Sequence, residues 1–210
     1  MNTDKAIHVV VWSGGMDSTL VLDQVCSANP NRCIWAHTIN WDMINDLKVK
    51  KEKEARRNYL NYAKKKGYDI AYRTISVKAN MGAPDLGLAQ CLAWFSYVIP
   101  YLPKKSKLYL GYHSTDDFWK KANEVSDHVR AAAAIGDREV TLVYPLQYMS
   151  KCDILEEFRA RRIPPSCFWT CEDPKRRNKK IVSCGKCTPC IKLKTAKYES
   201  NLLKISKDKK

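Results

Sequence analysis

Short β-branched runs alternate with longer stretches that carry one apolar face along most of the chain. The short runs are typical of strands buried on both faces, and the longer stretches are typical of amphipathic helices. Strands are predicted at residues 7–12, 33–39, 70–77, 108–110 and 140–144. Helices are predicted at residues 19–26, 48–66, 86–101, 118–135, 150–162 and 191–203. This alternation predicts a doubly wound α/β fold whose parallel sheet has about five strands.

A helix cap and two helix-ending prolines divide the chain into two parts. Ser150 is the predicted N-cap of a helix, with Asp153 three residues later as a relative of the capping box. Pro164 and Pro165 end that helix, and a cysteine-rich loop follows. We therefore predict an α/β domain over residues 1–163 and a separate C-terminal segment over residues 164–210.

The composition favours a folded protein outside membranes. Hydrophobic residues make up 45% of the 210 positions, which is too many for a disordered chain. The longest apolar runs are far too short to cross a bilayer, and the first residues lack the pattern of a signal peptide. A cytoplasmic protein without a membrane partner is expected.

The charge balance is strongly basic. Lys and Arg number 37 against 22 Asp and Glu, which gives a formal net charge of +15. Such a balance favours a polyanionic partner, whether nucleotide, nucleic acid or acidic lipid, but does not decide among them. Each basic cluster taken alone is also explained by a solvated helix face or a terminal tail.

A glycine turn joins the first predicted strand to the first helix. The hexapeptide Ser-Gly-Gly-Met-Asp-Ser occupies residues 13–18. Two glycines let the backbone approach a ligand closely, and the N-terminus of a helix favours phosphate. Asp17 suits such a site if Mg²⁺ bridges it to the phosphates, although it could instead cap the helix. The Walker lysine motif is absent, so this is a different kind of phosphate loop.

This hexapeptide resembles the S-G-G-x-D-S signature of the PP-loop ATP pyrophosphatases. Members of that family cleave ATP between its α- and β-phosphates, and their loop grips the pyrophosphate. The resemblance implies an adenine nucleotide alpha hydrolase-like fold, with Asp17 and Ser18 as catalytic residues. It implies that ATP and Mg²⁺ bind through Trp12, Ser13, Gly14, Gly15, Met16, Asp17, Ser18, Thr19 and Gly111.

Four of the 9 cysteines have the spacing of a metal site. Cys171 is followed by Cys184, Cys187 and Cys190, so that two overlapping C-x2-C units join one distant cysteine. Four thiolates suit a tetrahedral structural Zn²⁺. An iron–sulfur cluster, a redox pair and plain buried cysteines remain alternatives. Cys167, just after two prolines, is expected to pack rather than to ligate.

The two motifs together narrow the resemblance to the 7-cyano-7-deazaguanine synthase family of queuosine biosynthesis. Further shared elements are Tyr-Pro-Leu at residues 144–146, Ser-Lys at 150–151, Trp-Thr-Cys at 169–171 and the knuckle at 184–190. The resemblance implies a ligase that adenylates a carboxylate with ATP. Its substrate would be a 7-carboxy-7-deazaguanine-like acid, which ammonia converts to an amide and a second adenylation converts to a nitrile. A homodimer is carried over from the family as an expectation.

The departures from this family fall where the substrate would lie. The gap between the first two zinc ligands is longer than usual and holds five basic residues. The family's Pro-x-Arg-Asn element is replaced at residues 83–86, and its acidic-aromatic segment after the fourth strand is also replaced. The replacement segment supplies His113, Asp116, Phe118 and Trp119 as candidate substrate residues. Phe118 and Trp119 could equally open the next helix and pack in the core.

Three other functions stay open at this point. A tRNA-modifying PP-loop enzyme would also need the loop, the knuckle and the positive charge. A related adenylating enzyme could use a different deazapurine or acid. A zinc-stabilised binding module without activity is the third, and the intact Asp17 and Ser18 argue against it. A nucleic acid partner is thus an alternative that the sequence does not favour.

Overall fold

A computed structural model describes residues 6–41, 45–77 and 87–207 of the chain. Its strands are β1 (Ile7–Val11), β2 (Ile34–Trp41), β3 (Ile70–Val77), β4 (Lys105–Tyr109), β5 (Glu139–Val143), β6 (Lys175–Arg177) and β7 (Lys180–Val182). Its α-helices are α1 (Met16–Ala28), α2 (Asp46–Lys65), α3 (Gly87–Val98), α4 (Ala122–Ile135), α5 (Lys151–Ala160) and α6 (Thr188–Lys207). Single 3₁₀ turns precede β4, α4 and the cysteine segment.

The first five strands form one parallel sheet in the order β3-β2-β1-β4-β5. This order confirms the predicted α/β class with five parallel strands. The chain leaves β1 toward β2 on one side and returns to β4 on the other side. The carboxyl ends of β1 and β4 therefore flank the crevice in which such sheets bind ligands.

Helices cover both faces of the sheet. Val10 of β1 points into a core shared with α1, α2, α5 and α6, whereas Val9 and Val11 point into a second core shared with α3 and α4. Both faces of β1 are buried, so the strand is apolar at successive positions rather than at alternate ones. Ala196 of α6 lies in the first core with Ile154 of α5, so the C-terminal segment packs onto the α/β domain. The boundary at residue 163 stays a prediction.

The predicted helix starts differ from the observed ones in two places that matter for function. The α1 helix begins at Met16 rather than at residue 19, which places Asp17 and Ser18 in its first turn. The α6 helix begins at Thr188 and therefore includes the last cysteine of the knuckle. The Ser150–Asp153 capping box at the start of α5 is confirmed, with both reciprocal hydrogen bonds present.

The cysteine-rich region contains a hairpin that the sequence analysis missed. β6 and β7 pair antiparallel within what was predicted as a loop. Each strand has three residues, which is too short to show a hydrophobic period, and β6 is basic at all three positions. Among the described helices, none combines the length and hydrophobicity needed to span a bilayer.

Candidate active site and metal centre

The glycine turn folds into a closed loop between β1 and α1. The hydroxyls of Ser13 and Ser18 lie 3.0 Å apart, and the Gly15 N–H donates to Ser13 Oγ over 3.1 Å. Gly14 has φ of 91°, and an added Cβ would lie 2.9 Å from Arg56 Cγ and 3.1 Å from the Glu52 carbonyl oxygen. Only glycine fits there, since both the backbone conformation and the available space exclude a side chain.

The buried guanidinium group of Arg56 hydrogen-bonds to the loop and stabilises it. Arg56 of α2 is 2% exposed and donates hydrogen bonds to the Ser13 carbonyl and, over 3.1 Å, to Asn40 Oδ1. The guanidinium thus joins α2, β2 and the loop. Its charge and the N-terminus of α1 together make the loop electropositive, which favours an anion such as pyrophosphate.

Asp17 pairs with a lysine that is far away in sequence. Lys151 Nζ lies 2.5 and 2.7 Å from the two carboxylate oxygens of Asp17. Lys151 is the first residue of α5, and the Ser150 cap holds that helix end in position. The pair places one negative and one positive group at the mouth of the loop, where a metal ion and a phosphate would each find a partner.

Gly111 follows β4 and lies against the start of α1. An added Cβ would meet Ser18 N at 2.8 Å and Asp17 C at 3.0 Å, both of which are backbone atoms. The absence of a side chain therefore allows the end of β4 to support the turn that carries Asp17 and Ser18.

We expect Gly111→Ala to displace the first turn of α1. Because backbone atoms cannot swing aside, the variant should lose about 1–3 kcal/mol of stability and most of its ATP affinity. Thermal unfolding and nucleotide titration would measure the two effects. Gly136→Ala is the matched control, since an added Cβ there meets chiefly the flexible end of Arg138. Similar losses in both variants would contradict this role for Gly111.

The loop opens into a cavity of about 280 Å³, close to the size expected for small-molecule sites. Ser13, Gly15, Met16 and Asp17 form one wall. The other walls come from six elements and are lined by Ile39, Lys48, Glu52, Trp94, Lys151, Trp169, Thr170, Glu172 and Pro189. A smaller cavity of about 120 Å³ adjoins it beside Ser18 and Gly111 and reaches Phe95 and Tyr112.

Six of the nine predicted nucleotide residues line these two cavities: Ser13, Gly15, Met16, Asp17, Ser18 and Gly111. The other three have supporting positions. Gly14 lies against Arg56, as described above. Trp12 and Thr19 are fully buried and bond to each other, the indole N–H donating to Thr19 Oγ1 over 2.9 Å. The direct roles of all nine toward ATP stay predictions.

A carboxylate whose side chain is 14% exposed, that of Glu52, lines the larger cavity. Burial raises the pKa of Glu52 to about 7, although Lys48 and Arg56 act in the opposite direction. Lys48 Nζ lies 3.7 Å from Glu52 Oε1, and the nearest Arg56 nitrogen lies 3.9 Å from Oε2. The folded state thus holds a proton on Glu52 at pH values where the unfolded chain, with a pKa near 4.5, has lost it.

The raised pKa of Glu52 predicts a loss of stability between about pH 4.5 and 7 as this carboxyl is forced to ionise. Glu52→Gln cannot ionise, so its melting temperature at pH 8 should exceed the wild-type value by several degrees. At pH 5 the two proteins should melt alike. Glu54→Gln, on the same helix, is the control: Lys51 lowers the pKa of Glu54, so that change should bring no gain at pH 8. An equal rise in the melting temperature of Glu52→Gln at pH 5 and at pH 8 would contradict the argument that ionisation of Glu52 destabilises the fold.

The candidate substrate segment after β4 forms a network around His113. The His113 side chain is buried and lies 3.2 Å from Asp116, which also accepts from the His113 backbone N–H over 2.8 Å. Burial lowers the pKa of His113, against the raising effect of Asp17 and Asp116. Lys192 Nζ lies 3.9 Å from Asp116, so the segment also faces α6.

Phe118 and Trp119 pack as core residues. Phe118 stacks on Tyr112 with ring centroids 3.8 Å apart, and the Trp119 indole N–H donates to the His113 carbonyl over 2.7 Å. None of the four candidate substrate residues lines the two cavities described above. Their substrate role stays a prediction. The hydrogen bonds that His113 forms with Asp116 and Trp119 indicate that it stabilises the segment after β4. The replaced element at residues 83–86 lies outside the described residues.

Four cysteine sulfurs converge beside the loop. The Sγ atoms of Cys171, Cys184, Cys187 and Cys190 all lie within 4.8 Å of one another, and they form a group that fits a metal ion such as Zn²⁺. The backbone N–H of Cys184 donates to Cys171 Sγ over 3.2 Å, and that of Cys187 donates to Cys184 Sγ over 3.3 Å. The backbone N–H groups of Lys186 and Cys187 lower the pKa of Cys184 to about 6, which favours a thiolate there, whereas burial raises the pKa of Cys171 and of Cys190. Cys167 is buried in the core and is not in the group.

The metal segment also forms part of the cavity wall. The Trp169 backbone N–H donates to the Gly14 carbonyl over 2.9 Å, and Thr170, Glu172 and Pro189 line the cavity. Lys48 of α2 bonds to Glu172. The cysteine group therefore anchors a segment that touches the phosphate loop directly, so the two motifs form one site.

Sequence reasoning gave no role to several residues that complete this site: Lys48, Glu52, Arg56, Trp94, Lys151 and Glu172. All but Glu172, which lies in the loop after Cys171, are on helices whose local pattern explains them as solvated or amphipathic positions. Lys151 is the exception, because its place beside a capping serine at the carboxyl end of β5 could have indicated the site.

Comparisons with known proteins bear on the C-terminal half of the sequence and on the fold. The family model of the queuosine biosynthesis protein QueC matches residues 103–201. The solved structure of the U34-tRNA thiolase NcsA from Methanococcus maripaludis, with its 4Fe–4S cluster, matches with a TM-score of 0.50 at 14% identity and covers 97% of this chain and 68% of that one. A universal stress family protein from Burkholderia pseudomallei matches with a TM-score of 0.38 at 12% identity, covering 66% and 95%. No curated protein matches the chain.

Proposed function

We propose that this chain is a QueC-like PP-loop enzyme, which adenylates a carboxylate with ATP and converts 7-carboxy-7-deazaguanine and ammonia to 7-cyano-7-deazaguanine. The observation that carries the proposal is the position of Asp17 and Lys151 beside the glycine loop, where both line a cavity of about 280 Å³. The family match supports this class of reaction, and the order of steps follows from the chemistry of a carboxylate.

The reaction would proceed through two activations. The substrate carboxylate attacks the α-phosphate of ATP, and pyrophosphate leaves. Ammonia then displaces AMP to give an amide. The amide oxygen attacks the α-phosphate of a second ATP, again with loss of pyrophosphate, and departure of AMP with loss of both amide protons leaves the nitrile.

The chain would supply positioning and charge rather than a covalent group. The loop N–H groups and the Ser13 and Ser18 hydroxyls would hold the leaving pyrophosphate. Mg²⁺ bound by Asp17 would neutralise charge on the phosphates. Lys151 would then be released from Asp17 to face the phosphates, which would keep a cation beside the leaving group throughout.

Zn²⁺ is the proposed occupant of the cysteine group. Four sulfurs at about 2.3 Å from one central ion lie roughly 3.8 Å apart, which agrees with sulfurs that all lie within 4.8 Å. An iron–sulfur cubane holds several irons between its ligands and would need wider separations. The metal would be structural, since all four ligand positions are filled by cysteines.

The test combines ATP, Mg²⁺ and ammonium with 7-carboxy-7-deazaguanine and measures pyrophosphate release and the mass of the product. Acid-dependent pyrophosphate release and a nitrile product are expected. The matched control is 7-deazaguanine, which has no carboxylate and should release none. Nitrile formation without ATP, or pyrophosphate release that does not depend on the acid, would contradict the proposal.

If the segment after β4 contacts the substrate, Asp116→Ala should weaken acid-dependent pyrophosphate release more than it weakens ATP binding.

A tRNA-modifying reaction is the second candidate, because the fold of a U34-tRNA thiolase covers nearly all of this chain. Thiolating members of the superfamily often use a cysteine pair near the active site. The family model of QueC matches residues 103–201, which supports nitrile formation as the first candidate. Pyrophosphate release that depends on tRNA and not on the acid would reverse this order.

A further inference from the structure

Two charged side chains from separate parts of the chain form an ion pair in the wall of the larger cavity. Lys48 of α2 donates to the carboxylate of Glu172, which lies in the loop after Cys171. Both residues line the cavity, and the Lys48 side chain is largely buried whereas that of Glu172 is about half exposed. The reaction proposed above gives this pair no task, because its phosphates are assigned to the glycine loop and to Lys151. The pair therefore presents a charged donor beside a charged acceptor to a ligand that enters the cavity.

The α2 helix separates this ion pair from the glycine loop. Arg56 of α2 contacts the Ser13 carbonyl. Lys48 precedes Arg56 by eight residues, which correspond to about 12 Å of rise along an α-helix. A ligand that places one end at the loop can therefore place its other end at Lys48 and Glu172.

Trp169 provides a fixed aromatic surface in the same cavity. Its backbone N–H donates to the Gly14 carbonyl, and its indole N–H donates to the Cys171 carbonyl over 3.0 Å. Lys51 Nζ lies over the indole, 5.5 Å from the ring centroid. These contacts hold the indole in place before a ligand binds, which lowers the entropic cost of stacking a flat ring against it.

We propose that Lys48 and Glu172 bind the edge of a guanine-like ring that stacks on Trp169, and that they thereby select the acid substrate. This inference rests on the proposed adenylation, since it concerns the acid that the reaction uses. A guanine-like edge presents a carbonyl oxygen followed by two N–H donors. The Lys48 ammonium can donate to that carbonyl, while the two oxygens of the Glu172 carboxylate can accept from both N–H groups.

An adenine edge suits the pair less well. Such an edge directs one amino N–H and one ring-nitrogen acceptor toward its partner, so the second carboxylate oxygen of Glu172 would find no donor.

The other acidic candidates are also less suitable than Glu172. Glu52 lies 3.7 Å from Lys48, but burial raises its pKa to about 7, and a protonated carboxyl accepts fewer hydrogen bonds. Asp116, from the segment after β4, is not among the described residues that line the cavity. The contact with the ring edge is therefore expected from Glu172.

The test compares two acids, 7-carboxy-7-deazaguanine and its analogue without the 2-amino group. Isothermal titration calorimetry measures their binding, and pyrophosphate release with ATP measures their kcat/KM. The wild type should prefer the first acid by about tenfold to a hundredfold in both, the size expected for one hydrogen bond to a charged group. Glu172→Gln should reduce this preference to less than about threefold, because the amide presents one acceptor and one donor. Glu172→Asp, which keeps both oxygens, should restore part of it.

The matched control is Asp173→Asn, which removes one carboxylate from the next position in the chain. Asp173 is exposed and is not among the described residues that line the two cavities. This variant should keep the wild-type preference between the acids. Metal content and melting temperature should match the wild type in both Asp173→Asn and Glu172→Gln, which shows that the neighbouring metal group is intact.

Binding and turnover together separate this inference from the adenylation proposal. If the wild type releases pyrophosphate with 7-carboxy-7-deazaguanine but Glu172→Gln keeps the full preference, the edge contact is overturned and the adenylation proposal stands. If a Glu172-dependent preference appears in binding without acid-dependent pyrophosphate release, the edge contact stands and the adenylation proposal fails. A loss of ATP affinity in Glu172→Gln as large as its loss of affinity for the acid would mean that the pair contacts adenine, and would overturn the inference. So would a wild type that binds neither acid.

Discussion

Asp17→Asn should lower acid-dependent pyrophosphate release by about 10²–10³-fold, a loss of the size seen when one charge-stabilising group is removed from an active site. Its carboxylate is the acidic group of the loop and lies against Lys151 at the cavity mouth. The change removes one charge and keeps the side-chain volume, so the fold and the melting temperature should be preserved. Steady-state kinetics with varied Mg²⁺ would measure the effect, which should fall on kcat more than on the KM for ATP.

The matched control for this variant is Asp127→Asn. Asp127 is an exposed carboxylate on α4 that pairs with Arg130 over 3.1 Å, and it lies outside the residues that line the cavities. The Asp127→Asn variant should release pyrophosphate at the wild-type rate. If Asp17→Asn also retains the normal rate, the loop does not perform the expected chemistry and the adenylation proposal fails.

Cys187→Ser should remove most of the bound metal, from about one Zn²⁺ per chain to a small fraction of that. Three remaining thiolates leave one ligand position open, and metal binding supplies much of the folding free energy of small cysteine-ligated segments. We expect a fall of many degrees in melting temperature and a matching fall in ATP turnover. The turnover should fall because the Trp169–Gly14 hydrogen bond connects the metal segment to the phosphate loop.

Elemental analysis and thermal unfolding would measure this result, with Cys33→Ser as the control. Cys33 is an exposed free cysteine outside the group, so the same substitution there should change neither metal content nor stability. Iron in place of zinc in the wild type, or full metal content in Cys187→Ser, would contradict the assignment of the site.

Much of the fold follows from local patterns. The strand periods, the Ser150–Asp153 cap and the two glycines after β1 are set by residues close to one another in the chain, and so the elements and the phosphate loop could be predicted. The cysteine spacing similarly predicted which four sulfurs meet. The hairpin at residues 175–182 was missed because three-residue strands are too short to show a period and because its turn uses Asn178 and Lys179 where glycine is usual.

Which residues make up the site could be learned only from the tertiary structure. Lys151 reaches Asp17 across 134 positions of sequence, Arg56 reaches the Ser13 carbonyl across 43, and Trp169 reaches Gly14 from the metal segment. No local pattern encodes such contacts, since each depends on how the sheet order brings α2, α5 and the C-terminal segment to one edge. The same packing turned Phe118 and Trp119 into core contacts. The sequence alone thus determined the five strands of the sheet, the glycine loop and the four cysteines that converge, whereas only the packing determined which charges surround the loop.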